Sequence, residues 1–362
     1  MGTDRRLDRQ AAVRASLEAE GLDALLVTHL PNVRYLTGFS GSAAMLVVRR
    51  DATVLITDFR YAAQAPAEAG SSASVEVDQK SVWERLGRVM AAAPPPTLGI
   101  ESQAVSIRDA ERISGLTRAR VVPTSDIVER LRAVKSVEEV SAIRCAADLA
   151  REALAQTLPG VQAGQTELEI AATLESALRR RGSEWHPFPT IVASGLRSAL
   201  PHARTSGREV KRGEWLLLDF GAQVDGYCAD LTRTVVVGAR ADDRQRTIYE
   251  LVRHAQERAL AGIRPGMSGR DADALAREVI VARGFGESFG HSLGHGLGLE
   301  VHEAPRLAPT AEAVLQAGAV VTVEPGVYLP GWGGVRLEDD VWVTTDGPVL
   351  LSDGKTELME LV

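Results

Sequence analysis

The stretch LLLDFGAQVDGYCADLTRT at residues 216–234 decides the fold of the second half of the chain. Apolar residues lie on both sides of Asp225-Gly226, and Asp-Gly is a strong signal for a tight turn between antiparallel strands. The stretch therefore predicts a β-hairpin, with strands at Glu214–Gly221 and Tyr227–Val237.

Two aspartates of this hairpin are predicted to lie on one face. A four-residue loop would place Asp219 directly opposite Asp230, whereas a two-residue turn would pair Asp219 with Thr232. Both registers point the two carboxylates the same way, because side chains alternate between faces along a strand. Like charges this close repel each other unless a cation lies between them. The pair is a candidate metal site, although two unrelated acids on a solvated face would show the same pattern.

A second hairpin is predicted nearer the C-terminus. Its two strands and the five-residue loop between them are predicted at Ala319–Tyr328, Gly334–Thr344 and Leu329–Gly333. This register places Glu324 opposite Glu338, so each hairpin supplies one pair of acids. Arg336 precedes Glu338 by two residues and shares its face, where a guanidinium can hold a carboxylate through two hydrogen bonds. An ordinary cross-strand ion pair is the alternative for Arg336.

Histidines cluster beside these acids. The chain has seven histidines, of which three fall in FGHSLGHGLGLEVHE at residues 289–303 and a fourth is His202. Glycines at 290, 294, 296 and 298 disfavour a helix and predict a loop that leads into a strand, with the backbone close to another group. The window is neither HExxH, since position 306 is arginine, nor a phosphate-binding loop. Structural histidines are the alternative, which suits His29, His186 and His254 better.

Together these patterns predict a site for two divalent cations. The candidate ligands are four carboxylates and one imidazole, at Asp219, Asp230, His295, Glu324 and Glu338. Two such cations can activate a water molecule and polarise the bond that it attacks. An oxygen-rich set favours Mn²⁺ and tolerates Co²⁺, Zn²⁺ or Fe²⁺. No cysteine lies among these residues, which argues against a structural zinc site.

Length and composition indicate a two-domain globular protein. With 362 residues the chain exceeds the usual size of one core, and we place the boundary between residues 130 and 131. Residues 1–130 alternate short apolar strands with helices, which predicts an α/β domain with a mixed or parallel sheet. Ser136 and Glu139 form a capping-box pattern that starts a long helix. Pro-Gly followed by a helix occurs twice, either as common punctuation or as pseudo-two-fold symmetry within residues 131–362.

Charge and composition argue against several partners. The net charge is −7 and the basic residues are interspersed with acids, so no nucleic-acid surface is expected. The N-terminus is polar and no stretch is apolar enough to span a bilayer, so no membrane partner is expected. Cys145, in a predicted helix, and Cys228, in a predicted strand, are expected to be buried thiols in a reducing cytoplasm.

At these motifs the chain resembles the pita-bread metallopeptidases, and among them the Xaa-Pro peptidases (prolidases and aminopeptidases P). The matching stretches are LLLDFGAQVDGYCADLTRT, FGHSLGHGLGLEVHE, VTVEPGVY, GVRLEDD, IVASGLRSALPHA, NVRYLTGFSGS and ITDFRY. The resemblance implies an α+β pita-bread catalytic domain with pseudo-two-fold symmetry at residues 131–362. It also implies a smaller creatinase-like α/β domain at residues 1–130, and a homodimer.

The resemblance implies a role for each metal ligand. Asp219 would bind one cation, while Asp230 and Glu338 would bridge both. His295 and Glu324 would complete the other cation's ligands. Glu324 would also hold the bridging water and act as general base.

Other residues would meet the substrate. By the same resemblance, His202 and His302 would stabilise the developing oxyanion and contact the scissile peptide. His291 would line the proline pocket, and Arg336 would brace Glu338 or the substrate. An Xaa-Pro bond is a tertiary amide without a hydrogen on nitrogen, so the site must recognise the ring by shape and polarise the carbonyl strongly.

The implied reaction is hydrolysis of the N-terminal Xaa-Pro bond of a dipeptide, with longer peptides as the alternative substrate. Some longer prolidases bind the dipeptide carboxylate with an arginine between the second motif histidine and the first glutamate. Here only 21 residues separate His302 from Glu324, and Arg306 is the sole arginine among them. The chain departs from those prolidases here, and selectivity for dipeptides could instead come from an arginine of the first domain that overhangs the cleft, such as Arg34, Arg49, Arg50 or Arg60. A creatinase-like hydrolase without metals and a non-catalytic peptide-binding relative are alternatives that the five intact ligands disfavour.

Overall fold

The computed structural model describes residues 4–352 and 357–362. The chain divides into two compact units, one ending at Arg132 and the other running from Ala133 to Val362. The boundary predicted from the sequence lies between residues 130 and 131. None of the helices formed by the described residues combines the length and the apolar character that crossing a bilayer requires.

The N-terminal unit is a six-stranded sheet with helices packed against it. Its elements are α1 (Arg6–Ala19), β1 (Ala24–Val27), α2 (Leu30–Thr37), β2 (Ala44–Arg49), β3 (Thr53–Asp58), α3 (Gln64–Ala69), β4 (Ser74–Asp78), α4 (Val82–Ala92), β5 (Thr97–Glu101), α5 (Ile107–Leu116), β6 (Arg120–Thr124) and α6 (Glu129–Arg132). The strand order is β4-β3-β2-β1-β5-β6. β2 runs antiparallel to β1 and β3, and the other neighbours are parallel. The predicted mixed sheet is confirmed.

The described residues of the C-terminal unit form two helix pairs and three sheets. Its elements are α7 (Val137–Thr157), α8 (Glu167–Arg180), β7 (Ile191–Ser194), β8 (Trp215–Val224), β9 (Tyr227–Val237), α9 (Asp243–Gly262), α10 (Gly269–Ala282), β10 (Gly294–Gly296), β11 (Glu303–Leu307), β12 (Val320–Val323), β13 (Gly326–Leu329), β14 (Gly333–Arg336), β15 (Asp339–Thr344), β16 (Gly347–Leu350) and β17 (Met359–Leu361). The sheets have the strand orders β17-β9-β8-β7, β11-β10-β12-β15-β16 and β13-β14.

The two halves of this unit repeat one plan, as the Pro-Gly pattern suggests. In each half a helix pair packs its apolar side chains on the strands that follow it, so α7 and α8 cover β7–β9 while α9 and α10 cover the five-stranded sheet. Thr166 caps α8 and forms a β-bridge with Glu209. Ser268 caps α10 and forms the matching bridge with Val314. The same local backbone contact therefore recurs in both halves.

The first helix of the C-terminal unit starts at the predicted capping box. Ser136 Oγ accepts from Glu139 N, and the Glu139 carboxylate accepts from Ser136 N, which satisfies two free amides at once. Val140 and Leu154 lie on the buried face. Cys145 is exposed, so the expectation that both cysteines are buried is wrong for this one. It lies five residues after Val140, which turns it away from the buried face of a helix with 3.6 residues per turn.

Candidate metal and substrate site

The first hairpin has the shorter of the two predicted turns. Asp225 and Gly226 have φ angles of 50° and 79°, so both occupy the left-handed region that this two-residue hairpin turn requires. β8 and β9 accordingly pair Asp219 with Thr232. Asp230 lies two residues from Thr232 and is therefore a diagonal neighbour of Asp219 on the same face. Both aspartates are buried.

The second hairpin keeps the predicted register but not the predicted continuity. The β12–β15 and β13–β14 ladders share one register, which places Glu324 opposite Glu338 in the gap between them. The ladder is interrupted there, where Pro325 has no N–H to donate. The connecting loop has three residues and not the predicted five, because Leu329 and Gly333 pair with each other.

Glu338 joins the two hairpins. Its backbone N–H donates to Thr232 O at 3.1 Å, on the first hairpin. The Thr232 hydroxyl donates in turn to Glu338 Oε2 at 2.6 Å. These two hydrogen bonds hold the acid pair of the second hairpin beside the acid pair of the first.

The glycine-rich segment forms a loop and the short strand β10, as predicted. A Cβ on Gly294 would lie 2.0 Å from Thr322 O, and one on Gly296 would lie 2.2 Å from Ala304 O. Neither contact is possible for a larger residue, so both glycines are required by close approach of the backbone. His295, between them, is thereby held beside β12 and β11.

The five candidate ligands converge in a buried cluster. Ligand atoms of Asp230, His295 and Glu338 lie within 4.8 Å of one another and form a possible metal-binding group. Glu324 Oε1 lies 3.4 Å from His295 Nε2. Burial, reinforced by neighbouring carboxylates, raises the pKa of Glu338 to about 8 and raises those of Asp230 and Glu324 well above their ordinary values. Burial also raises the pKa of Asp219, against the opposing charge of Arg336.

This donor set fits divalent cations. Asp230 Oδ1 is buried and has no hydrogen-bond partner among the described residues. Burial lowers the pKa of His295 to about 4, so its ring is neutral. His295 Nδ1 lies 3.1 Å from Gly296 O, which assigns the ring proton to Nδ1 and leaves the Nε2 lone pair facing Glu324 and Asp230. Neutral imidazole and crowded buried carboxylates are the ligands that bound cations would stabilise.

Arg336 supports Asp219 and not the expected Glu338. Its Nη2 donates to Asp219 Oδ2 at 2.5 Å, and its Nη1 donates to the Tyr328 hydroxyl at 2.8 Å. Its Nε donates to the hydroxyl of Thr232 at 3.1 Å, so it reaches Glu338 only through that threonine. Arg336 is 3% exposed, and these contacts engage its guanidinium within the protein.

The other three predicted site histidines lie beside the cluster. His291 Nδ1 lies 2.8 Å from Ser292 O and its Nε2 lies 2.8 Å from the Tyr328 hydroxyl. Burial lowers the pKa of His291 to about 4. The His302 ring lies 4.2 Å from that of His295, centroid to centroid, and burial lowers its pKa as well. His202 lines the cavity that contains the cluster and is exposed.

One cavity of about 1100 Å³ contains all nine predicted site residues. Its walls combine the four acids and the one histidine of the cluster with apolar side chains that include Phe188, Ile191 and Pro201. The four candidate arginines of the N-terminal unit are engaged locally or otherwise partnered; Arg50, for example, pairs with Asp23 and Arg60 with Asp58. Their suggested part in binding stays a prediction.

Sequence reasoning missed the residues that support the ligands. Thr322 Oγ1 accepts from His295 N at 3.1 Å and donates to Glu324 Oε1 at 3.3 Å. Asp340 Oδ2 accepts from Asp230 N at 3.2 Å. The position of Thr322 could have been predicted, because it precedes Glu324 by two residues and so lies on the same face of the strand.

Comparison with known proteins places the chain in a family. Residues 9–134 match the creatinase/prolidase N-terminal domain, and residues 141–345 match metallopeptidase family M24. A Bacillus subtilis protein called uncharacterized peptidase YqhT is 42% identical over 94% of this chain and 96% of its own length. A structure titled Xaa-Pro dipeptidase from Bacillus anthracis is 38% identical, with a TM-score of 0.95 over 98% of this chain and 100% of that one.

A second solved structure carries a different title. The X-Pro aminopeptidase from Thermotoga maritima is 36% identical, with a TM-score of 0.91 over 97% of this chain and 99% of that chain. These matches, together with the repeated helix-pair and sheet plan, establish the pita-bread fold. The chain therefore belongs to metallopeptidase family M24, and it is a metallopeptidase with a creatinase/prolidase-type N-terminal domain.

Proposed function

We propose that this enzyme is an Xaa-Pro dipeptidase that uses two divalent cations, held by Asp219, Asp230, His295, Glu324 and Glu338. The observation that carries the proposal is the convergence of these side chains in one cavity beside three further histidines. Mn²⁺ is the proposed metal, with Co²⁺ and Zn²⁺ as substitutes, because the set is rich in oxygen. A cytoplasmic homodimer is part of the proposal, by resemblance.

When bound, the cations supply Lewis acidity and lower the pKa of water. The protein's own groups then handle protons and charge. Glu324 is the proposed proton acceptor, since Oε1 lies beside His295 and Oε2 lies 4.0 Å from His291 Nδ1, at the cavity surface. His302 is neutral at physiological pH because burial lowers its pKa. A neutral donor stabilises the carbonyl oxygen as its charge grows.

The proline ring is proposed to lie against the apolar wall. Phe188, Ile191 and Pro201 line the cavity together with His291. Because Tyr328 and Ser292 engage both ring nitrogens of His291, the face and edge of this imidazole remain for apolar contact. The proline nitrogen at the scissile bond has no hydrogen to donate. An apolar surface that matches the shape of the ring and has no hydrogen-bond acceptor therefore suits it.

Two arginines favour a dipeptide over a longer peptide. Arg204 and Arg306 line the cavity, are exposed, and make no side-chain hydrogen bond or ion pair within the described residues. Arg306 lies directly opposite His295 in the β10–β11 pairing. In a dipeptide the carboxylate follows the scissile bond by one residue, so a free guanidinium near the cluster can bind it. We propose Arg306 for this role, in place of the arginines of the first domain that were suggested from the sequence.

The proposal is tested by comparing Ala-Pro with Ala-Pro-Ala, using metal-free protein resupplied with Mn²⁺, Co²⁺ or Zn²⁺. We expect faster turnover of Ala-Pro. Arg306→Leu should raise KM for Ala-Pro about 10- to 100-fold, since a hydrogen bond to a charged group contributes roughly 1.5–3 kcal/mol. Arg270→Leu, which removes an exposed ion pair with Glu312, is the matched control and should change neither constant.

The opposite ranking of substrates would assign the enzyme to the X-Pro aminopeptidases, as the size of the cavity and the Thermotoga maritima relative allow. Absence of turnover of both peptides with all three metals would refute an Xaa-Pro peptidase altogether.

A further inference from the structure

A buried ion pair is formed by Glu303, the residue that follows the site histidine His302 in the chain. Lys135 Nζ lies 2.6 Å from Glu303 Oε1, and the two side chains are 0% and 8% exposed. A buried ammonium is strongly disfavoured unless a carboxylate compensates it. The pair joins the start of the C-terminal unit to the start of β11, 168 residues further along the chain.

Backbone hydrogen bonds anchor Lys135 and the turn that precedes Glu303. Lys135 N donates to Gly318 O at 2.9 Å, so the lysine is anchored to the segment that precedes β12. Gly298 O accepts from Cys228 N at 2.7 Å, and Gly298 N donates to Glu300 O at 3.0 Å. The turn between β10 and β11 is thus tied to β9, the strand that carries Asp230.

Gly298 leaves the space that the ion pair occupies. A Cβ at this position would lie 2.3 Å from Glu303 Oε1 and 3.2 Å from Lys135 Cε. Any larger residue would therefore displace the carboxylate or the lysine stem. This close approach explains a glycine that the turn geometry alone does not require, since Gly298 is absent from the glycines with positive φ.

Glu303 also connects the ion pair to the site. It follows His302 directly in the chain, and it pairs across the β10–β11 ladder with Gly296, the residue after His295. The ladder shifts register between His295 and Gly296, so regular pairing does not by itself set the position of this part of the chain. The contact with Lys135 restrains the Glu303 side chain next to this irregular part of the ladder.

We propose that Lys135 is a positioning residue, which acts through Glu303 to hold His302 and His295 at the working distance from the carboxylate cluster. This inference rests on the proposed function for its kinetic readout. Replacing Lys135, which does not line the cavity, leaves every cavity side chain chemically unchanged and lets the histidine segment move. The consequence is a fall in kcat, because misplacement of about 1 Å lowers rates on the order of 100-fold, while binding of the proline ring persists.

The experiment compares Lys135→Met, Glu303→Gln and the double variant with wild type, in the full-length Mn²⁺-loaded enzyme. Lys135→Met and the double variant should lower kcat for Ala-Pro about 10- to 100-fold with KM changed less than about threefold. Glu303→Gln keeps the shape and a hydrogen bond to Lys135, and should retain more kcat than Lys135→Met. Arg208→Met removes the partly buried pair with Glu214 outside the cavity and should leave kcat unchanged.

The double variant separates positioning from plain stability. It removes both buried charges, so its melting temperature should recover towards wild type relative to Lys135→Met, while kcat stays low. Recovery of kcat together with melting temperature would overturn the proposal. If the double variant fails to fold, the two single variants decide: a Lys135→Met protein that folds with wild-type kcat, so that its loss is confined to melting temperature, would equally overturn the proposal, and so would equal values of kcat in Lys135→Met and Glu303→Gln.

A readout without turnover separates this inference from the proposed function. In protein with ¹⁵N-labelled histidine, Lys135→Met should shift or broaden the imidazole signals of His295 and His302 and leave that of His254 unchanged. Unchanged signals at His295 and His302 would refute the positioning role. Wild-type protein inactive on Ala-Pro would refute only the proposed substrate.

Discussion

After removal of the metal, this protein should lose stability as pH rises, over a pH range that the pKa values of the site carboxyl groups define. Burial raises the pKa of Glu338 from 4.5 to about 8, with Asp219 as a neighbouring negative charge. A carboxyl whose folded pKa is raised binds more protons in the folded state, so its contribution to stability falls as pH rises from the unfolded to the folded pKa. Cations at the site would remove that penalty.

The pH range of this test must exclude the range in which the histidines change stability in the opposite direction. Burial lowers the pKa of His291 and His295 to about 4 from an unfolded value of 6.5. The unfolded state therefore binds more histidine protons between pH 4 and 6.5, and stability from these groups rises with pH there. Above pH 6.5 the histidines contribute no further slope, and the carboxyl groups dominate.

Between pH 6.5 and 8, Glu338 alone corresponds to about 2 kcal/mol, since one pKa unit is about 1.4 kcal/mol. For a unit of this size, 1 kcal/mol shifts the melting temperature by about 2–4 °C. The chelated protein should therefore melt roughly 4–8 °C lower at pH 8.5 than at pH 6.5. Asp230 and Glu324, whose pKa values are raised in the same direction, add to the fall.

The assay is thermal melting of chelator-treated and Mn²⁺-loaded protein at pH 6.5, 7.5 and 8.5. The loaded protein should show little change, and chelated Glu338→Gln should fall less than chelated wild type because it cannot ionise at this position. A chelated wild type that melts at the same or a higher temperature at pH 8.5, while verified free of metal, would refute the reasoning. So would an identical fall in Glu338→Gln.

Three further perturbations have defined outcomes. Arg336→Lys keeps the charge but loses the fork that holds Asp219, and should lower kcat on the order of tenfold or more and weaken Mn²⁺ binding measured by calorimetry. Gly294→Ala should abolish soluble expression or lower the melting temperature sharply, because its Cβ would meet Thr322 O at 2.0 Å; normal folding and activity would contradict the close approach. Ser136→Ala removes one half of the capping box and should lower unfolding free energy by about 1 kcal/mol in denaturant titration, with kcat unchanged.

Much of the site was predictable because it depends on short-range rules. The Asp-Gly pair fixes a tight turn wherever it lies between apolar strands, and alternation along the strands then places Asp219 and Asp230 on one face in either register. The glycines around His295 exclude a helix for the same local reason. The opposition of Glu324 and Glu338 survives even where the ladder breaks, because both flanking ladders share one register.

Other features depend on segments far apart in the chain. The choice of Arg336 between Glu338, its neighbour on the strand, and Asp219 rests on how the two hairpins pack, and periodicity within a strand contains no information on that distance. The pairing of Glu338 with Thr232 and the ion pair of Lys135 with Glu303 have the same origin. The exposure of Cys145 follows from which face of α7 the sheet covers.

The sequence alone thus determined the ligand types, their order along the chain and the faces on which they lie, since these follow from backbone geometry within a few residues. Tertiary structure alone decided which atoms meet, how deeply the acids are buried and therefore how far their pKa values rise. Burial and electrostatic coupling are properties of the space between packed segments, and no local pattern of residues specifies that space.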